Sequence, residues 1–307
     1  MSWSPSARHS ADSTTETDPT MNPVILGSLA AFCLGTLDFA AGSVSRSIGA
    51  VRAVAAVTLL GLALITLPLL AFSTVPDLAR SDVYWPIVAG AGLALSTLFL
   101  FAGIASGPVS LAVPVAMSYP ATIVLWNTLA GHMPTLLQLV FIAIVLGGAF
   151  VVAWAEPDGT AEADETPARW RRTVVFALLA HATFIVTILT GQKSATLFDE
   201  LQSVWISRLA GAAFILPLLL IRPAPLRPQA RFLPVLLLMG LLDVAATTLL
   251  FAAGNSSRPE LATVCATASG AITVVLAWIF LGEKIVYLRW FGIAATFFGV
   301  AALSALK

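Results

Sequence analysis

Residues 103–148 read GIASGPVSLAVPVAMSYPATIVLWNTLAGHMPTLLQLVFIAIVLGG, and residues 254–299 read GNSSRPELATVCATASGAITVVLAWIFLGEKIVYLRWFGIAATFFG. The second stretch echoes the first at a constant offset of 151 positions, with no gap. Gly103, Pro108, Val113, Ser118, Thr122, Val124, Leu125, Gly131, Leu137, Ala143 and Gly148 return as Gly254, Pro259, Val264, Ser269, Thr273, Val275, Leu276, Gly282, Leu288, Ala294 and Gly299. Both copies are almost wholly apolar. Extended outward, each half of the chain divides into five membrane-spanning segments. An odd number of spans forces two similar halves to cross in opposite directions. An inverted repeat of this kind is an architecture of secondary transporters.

Composition supports the membrane. Charged residues make up 10% of the 307 positions, against about 25% in a typical soluble domain. Apolar residues reach 58%, and the mean hydropathy is +0.93. Val83 through Ala155, 73 residues, hold no Asp, Glu, Lys or Arg. At ~1.5 Å per residue that run is far too long for one crossing. Net charge is zero and no basic tract occurs, which argues against nucleic acid as a partner. Cys33 and Cys265 sit in apolar runs without metal or disulfide spacing. The three histidines, His9, His132 and His181, form no His-x-x-x-His pattern. No metal and no cofactor are expected.

The polar punctuation sets the organisation. Residues 1–21 are rich in Ser, Thr, Asp and Pro and read as a disordered tail. The acidic, Ser/Thr-rich character of that tail is unlike a signal peptide, so the next apolar run is read as a retained helix. Residues 22–155 form the first five-helix repeat, with spans over about Pro23–Val44, Ala53–Phe72, Val83–Ile104, Val109–Leu129 and Leu136–Trp154. Residues 156–172, EPDGTAEADETPARWRR, read as a flexible polar linker. Residues 173–307 form the second repeat, with spans over about Thr173–Thr190, Val204–Ile221, Phe232–Ala253, Leu261–Leu281 and Val286–Leu306. In lipid the backbone must satisfy its own hydrogen bonds, so the fold class is all-α, a ten-helix integral membrane protein. With the N-terminus inside, the inner loops would hold five Lys and Arg and the outer loops ten. The charge bias therefore favours the N-terminus outside.

The two copies resemble the EamA domain of the drug/metabolite transporter superfamily, over roughly residues 24–154 and 174–305. The second half carries the more specific features: Arg258-Pro259-Glu260-Leu261-Ala262, Leu281-Gly282-Glu283-Lys284, Trp290-Phe291-Gly292-Ile293 and Gly299-Val300. The first half is a weaker copy, with Gly107-Pro108-Val109-Ser110, Tyr119-Pro120, Thr122, Gly131 and Gly148. There His132 stands where the family-like Glu would be, and Phe141 stands where Gly292 stands in the second copy. The resemblance implies ten helices, cytoplasmic termini and export or exchange of small metabolites through a central cavity. Its cytoplasmic termini conflict with the charge bias.

The repeated residues report architecture. Gly131 and Gly282 follow the fourth and ninth spans, where glycine readily takes the left-handed conformation that ends a helix. Glu283 falls near the start of the tenth span, where negative charge is favoured. Gly148 and Gly299 let helices approach closely, against neighbours, each other or a second copy in a homodimer. Pro114 and Pro120 fall inside the fourth span, where they are expected to kink it toward a cavity. The ninth span has no proline at the matching positions.

An ionisable group at membrane depth is costly, and is usually functional or paired. Asp38, His181, Arg208 and Asp243 qualify, and Tyr119 and Asn127 add hydrogen-bonding capacity. Asp38 and Asp243 are the strongest candidates. Either could take a proton and couple its movement to solute flux, or meet the amine of a zwitterion; the alternative is an internal pair with Arg or His. His181 suits a proton relay or a bond to a neighbouring helix. Arg208 and Arg52 suit snorkelling, helix-to-helix bonding or an anionic substrate group. Trp126 and Trp278 suit an interfacial belt or a place beside substrate.

The reading is a secondary transporter of small metabolites, an exporter of amino acids or related neutral or zwitterionic solutes, coupled to protons, in the cell membrane. It is not an enzyme, because no cluster of His and acidic residues marks a membrane face. The alternative is a non-transporting receptor, scaffold or assembly protein.

Overall fold

A computed structural model of the chain describes residues 22–106, 115–116, 118–131, 133–154, 167–221, 230–281 and 286–306. The polar tail, Pro108, Pro114, His132, most of the linker, the proline-rich 222–229 stretch, Gly282 and Glu283 lie outside these residues.

Eleven helices and three short 3-10 turns are described. The helices are α1 Pro23–Ile48, α2 Ala50–Phe72, α3 Tyr84–Ser106, α4 Tyr119–Leu129, α5 Leu136–Trp154, α6 Pro167–Ala195, α7 Glu200–Ile221, α8 Leu233–Ala252, α9 Pro259–Ala266, α10 Ser269–Leu281 and α11 Tyr287–Ala305. Eight segments are long and apolar enough to cross a membrane, with α9 and α10 together supplying one of them. Leu136–Val152 is a shorter apolar helix. The protein is therefore an all-α, multi-pass membrane protein.

Local chemistry sets the ends. Asn22 Oδ1 accepts the Val24 amide at 2.9 Å, which caps α1 ahead of Pro23. Thr135 and Gln138 form a reciprocal capping box at the start of α5. The Thr135 amide donates to Gln138 Oε1 at 3.0 Å, and the Gln138 amide to Thr135 Oγ1 at 3.3 Å. Asp199 Oδ1 accepts the Gln202 amide at 2.7 Å and starts α7. Gly131 has φ +97°, the positive value expected of a glycine that ends a helix.

Three boundaries differ from the sequence expectation. α1 runs on to Ile48, so Gly49 alone, at φ +86°, separates it from α2. α6 begins at Pro167, inside the stretch read as linker, because proline suits a first turn and Ala, Arg and Trp continue it. It also passes through Gly191 without stopping. That glycine is a contact point, since any Cβ there would enter the Phe251 ring.

The fourth span is interrupted in the described residues: Val115 and Ala116 are helical, Ser118 is in a turn, and α4 starts at Tyr119. Pro120 stands just after that break. It occupies the first turn of α4, where its missing N–H breaks no helical bond. The ninth span, which lacks proline, is nevertheless interrupted at Thr267-Ala268 between α9 and α10. Hydroxyls offer the backbone an alternative there: Thr267 Oγ1 donates to the Val264 carbonyl at 2.7 Å, and Thr273 Oγ1 reaches the Gly35 carbonyl of α1 at 3.0 Å.

Packing joins the two halves more than it joins neighbours within a half. The most extensive pairs are α3 with α6, α5 with α11, α3 with α7, α1 with α8 and α2 with α7. Small residues allow the approach. A Cβ on Gly35 would lie 2.7 Å from the Ser269 carbonyl oxygen, and one on Gly90 would collide with the Ser207 backbone. In the α5–α11 seam, a Cβ on Gly148 would lie 2.6 Å from Thr296 Oγ1, and one on Gly299 would lie 2.6 Å from Val145 Cγ2. Gly148 and Gly299 thus pack the chain against itself. Trp126 and Trp278 are exposed on the outer surface with Leu129, Phe280 and Phe291, which suits a lipid-facing belt rather than a place beside substrate.

Candidate substrate and coupling site

Tyr119, Ile123, Ile188, Ala246 and Leu250 pack into one buried cluster with Ala30 of α1 and Ala266 of α9. A small cavity of about 60 Å³ opens beside it. Its walls come from α1, α3, α4, α6 and α8 and include Leu34, Leu93, Tyr119, Phe184, Asp243 and Thr247. Metabolite pockets run to about 300–1,000 Å³, so a solute would not fit this cavity as it stands.

Asp243 and Arg208 meet at its edge. Arg208 Nη1 donates to Asp243 Oδ2. Nη2 donates to the Asp243 carbonyl oxygen at 3.2 Å and to Thr247 Oγ1 at 2.6 Å. Thr247 Oγ1 in turn donates to the Asp243 carbonyl at 2.7 Å. The arginine side chain is 2% exposed, and its Nε has no partner among the described residues. Arg208 thus bonds helix to helix, from α7 to α8. A buried guanidinium held this way does not snorkel.

Asp38 differs from Asp243. It stands one turn beyond Leu34 on α1, so the two share a helix face. It lies within electrostatic reach of Asp243 and of Tyr119. Its side chain is half-buried, and among the described residues it makes no hydrogen bond or ion pair. Tyr119 is buried and stacks on Phe184 of α6 with ring centroids 5.1 Å apart.

His181 is engaged by the entry to α4. Its Nδ1 lies 3.2 Å from the Val115 carbonyl oxygen and 3.0 Å from Ser118 Oγ. A carbonyl can only accept, so Nδ1 carries a proton and donates. Nε2 meets Thr122 Oγ1 at 3.1 Å. Ser118 and Thr122 belong to the repeated set, so two repeated residues hold this histidine.

Sequence reasoning missed Glu260 as a membrane-depth acid, because it reads there as part of a helix-start motif. It is 1% exposed in the first turn of α9. Asn127 Nδ2 donates to its Oε2 at 3.3 Å, while Oε1 has no partner among the described residues. Asn127 therefore belongs to an α4–α9 contact. The cue was the acid itself, two residues beyond Arg258 in an apolar stretch. Nearby, Arg258 Nη1 donates to Gln138 Oε1 at 2.7 Å, and Gln192 Nε2 reaches the Leu250 and Pro259 carbonyls at 3.4 Å.

A set of hydrogen bonds ties together the α2–α3 and α6–α7 connections. Ser73 Oγ donates to Asp199 Oδ2, and Gln202 Nε2 donates to the Thr74 carbonyl and Thr74 Oγ1, each at 3.0 Å. Asn255 Nδ2 donates to Glu200 Oε1 at 2.8 Å. Among the described residues no group of three or more His, Cys, Asp or Glu converges as a metal site would need.

The family described as the EamA-like transporter family matches residues 21–154 and again residues 171–305. No curated protein matches the sequence. A solved structure described only as "Crystal structure of protein" is similar in fold, with a TM-score of 0.77 at 17% identity. The match covers 92% of this chain and 96% of that one.

Proposed function

The chain belongs to the EamA-like transporter family of the drug/metabolite transporter superfamily, and from that premise we propose that it is a secondary transporter of small metabolites working by alternating access. Its ten spans form two five-helix repeats, residues 22–155 and 173–307, inserted with opposite orientation. The pairing supports this reading. If α1 corresponds to α6, α2 to α7, α3 to α8 and α5 to α11, then α3–α6 is the counterpart of α1–α8 and α3–α7 of α2–α8. The α2–α7 and α5–α11 pairs map onto themselves. A pseudo-two-fold axis in the membrane plane generates such a pattern.

The observation that carries the proposal is the central cluster. Asp243, bonded to Arg208, lines a cavity whose walls come from both halves, and Asp38 stands one turn beyond Leu34 of that wall on α1. The hydrogen-bonded layer from Ser73 to Asn255 would be the closed gate on one side, and the cavity would widen as that layer parts. Asp38 is the coupling residue, and the protein works in the cell membrane as a carrier rather than an enzyme. The test is to screen small metabolites for thermal stabilisation of the purified full chain, then measure uptake of the hits into vesicles containing it. Binding to the folded form must raise its apparent stability. Stabilising solutes that also enter these vesicles faster than protein-free ones support the proposal. Vesicles that take up none of the stabilising solutes above the protein-free rate overturn it.

A further inference from the structure

α2, α6 and α8 all enter the membrane from one end of the molecule, and each enters on arginine. Their apolar spans begin at Val51, Arg171 and Leu233. Arg52, Arg171, Arg172 and Arg231 therefore stand at the edge of the hydrocarbon, where headgroups lie. Packing draws these entries together. Ala53, beside Arg52, and Phe232, beside Arg231, pack in one cluster with Val44 of α1. Phe101 of α3 packs against that cluster and against another that holds Ala177 of α6. Among the described residues, no carboxylate bonds to any of these four arginines. The described acids stand elsewhere. Asp77, Asp82, Asp199, Glu200 and Glu260 are at the opposite end, and Asp38 and Asp243 lie well inside α1 and α8.

Two of the guanidinium groups rest on aromatic rings at the lipid-facing surface. Arg172 is exposed and lies over the Phe176 ring, 5.6 Å from its centroid. Phe176 is one turn further into the span, so the charge leans toward the hydrocarbon. Val175, Leu178 and Leu179 are exposed beside it. Arg231 is exposed and lies over Phe232 at 4.7 Å, ahead of the exposed Leu233, Leu237 and Leu238. A guanidinium resting on a ring still offers its N–H edge to a phosphate.

We propose that this end is a docking surface for anionic phospholipid, with Arg172 and Arg231 binding headgroup phosphate and Arg52 and Arg171 adding to the attraction. A lipid satisfies two requirements together. Its acyl chains cover the exposed valine and leucines, and its negative headgroup meets arginines that have no carboxylate. A soluble anion would meet the charge and leave the apolar surface bare. The competing occupant is the acidic stretch 156–165, EPDGTAEADE, which precedes α6 in the chain. It offers carboxylates but no Val, Leu, Ile or Phe for the apolar surface. The proposal rests on the membrane-spanning fold and not on transport, so its failure leaves the transporter reading standing.

The test follows the melting temperature of the purified full chain in detergent micelles carrying increasing phosphatidylglycerol or phosphatidylcholine. Phosphatidylglycerol should bind at least about tenfold more tightly, and that preference should shrink at high salt. Arg172→Gln and Arg231→Gln should each weaken phosphatidylglycerol binding about fivefold and leave phosphatidylcholine binding unchanged. Lys193→Gln, at the opposite end, should leave the preference intact. The wild-type comparison of the two lipids stands even where a variant fails to fold. Equal affinity for the two lipids overturns the proposal, and so does a preference that survives in the Arg172→Gln, Arg231→Gln double variant. Inorganic phosphate that stabilises as well as phosphatidylglycerol would make this a soluble-anion site and overturn the lipid assignment. A preference that emerges only after Glu156, Asp158, Glu162, Asp164 and Glu165 are changed to their amides would give the surface to that acidic stretch, and likewise overturns it.

Discussion

Arg208 of α7 donates to both a carboxylate oxygen and the carbonyl oxygen of Asp243 on α8, while Asp38 of α1 has no such partner among the described residues. The two acids that look equivalent in sequence are therefore held differently: Asp243 fixes an arginine, and Asp38 does not.

Breaking the Arg208–Asp243 pair from one side should cost more than removing it. Arg208→Leu leaves a buried acid, and Asp243→Leu leaves a buried guanidinium, each at a cost of about 3–5 kcal/mol. The double variant should recover much of that loss. Thermal unfolding in detergent measures all three. Single and double variants of equal stability would mean that the pair is not coupled.

His181 ties α6 to the entry of α4 through Val115, Ser118 and Thr122. Its replacement by Leu should leave those groups short of a partner, costing about 1–3 kcal/mol. Hydrogen exchange in residues 119–125 should quicken while exchange in α3 stays unchanged. Uniform acceleration across both helices would argue against a local tether.

Neighbouring glycines on α5 offer an internal control. Gly148 faces Thr296, whereas a Cβ on Gly147 would meet open space. Gly148→Val should destabilise by about 1–3 kcal/mol through overpacking, and Gly147→Val should change little. Equal effects on the melting temperature would show that the α5–α11 seam is placed wrongly.

Glu260→Gln preserves an acceptor for Asn127 and removes an acidic group with one orphaned oxygen. It should be tolerated far better than Glu260→Ala, which leaves the Asn127 amide without its partner. The comparison is made by melting temperature, and an alanine variant as stable as wild type would contradict it.

The multi-pass all-α class was legible because lipid permits few solutions: a long apolar run must be helical, and its punctuation marks the turns. Gly131 was legible for the same reason, since few residues take φ +97° cheaply. The break at Thr267 was not, because hydroxyl bonding to carbonyls leaves no mark like proline's. Asp38, Asp243, Arg208 and His181 could be picked out as misplaced polar groups. Which of them pair could not, because pairing depends on how α7, α8 and α1 sit in space. Glu260 was hidden by its helix-start motif, where an acid is ordinary.

The central claim, that the chain carries small solutes across a membrane, is tested most directly in sealed vesicles made with the full chain and offered the solutes that stabilise it thermally. The account predicts entry faster than into protein-free vesicles, saturating with solute concentration and slowed in Asp38→Asn. Entry at the protein-free rate for every such solute would contradict it.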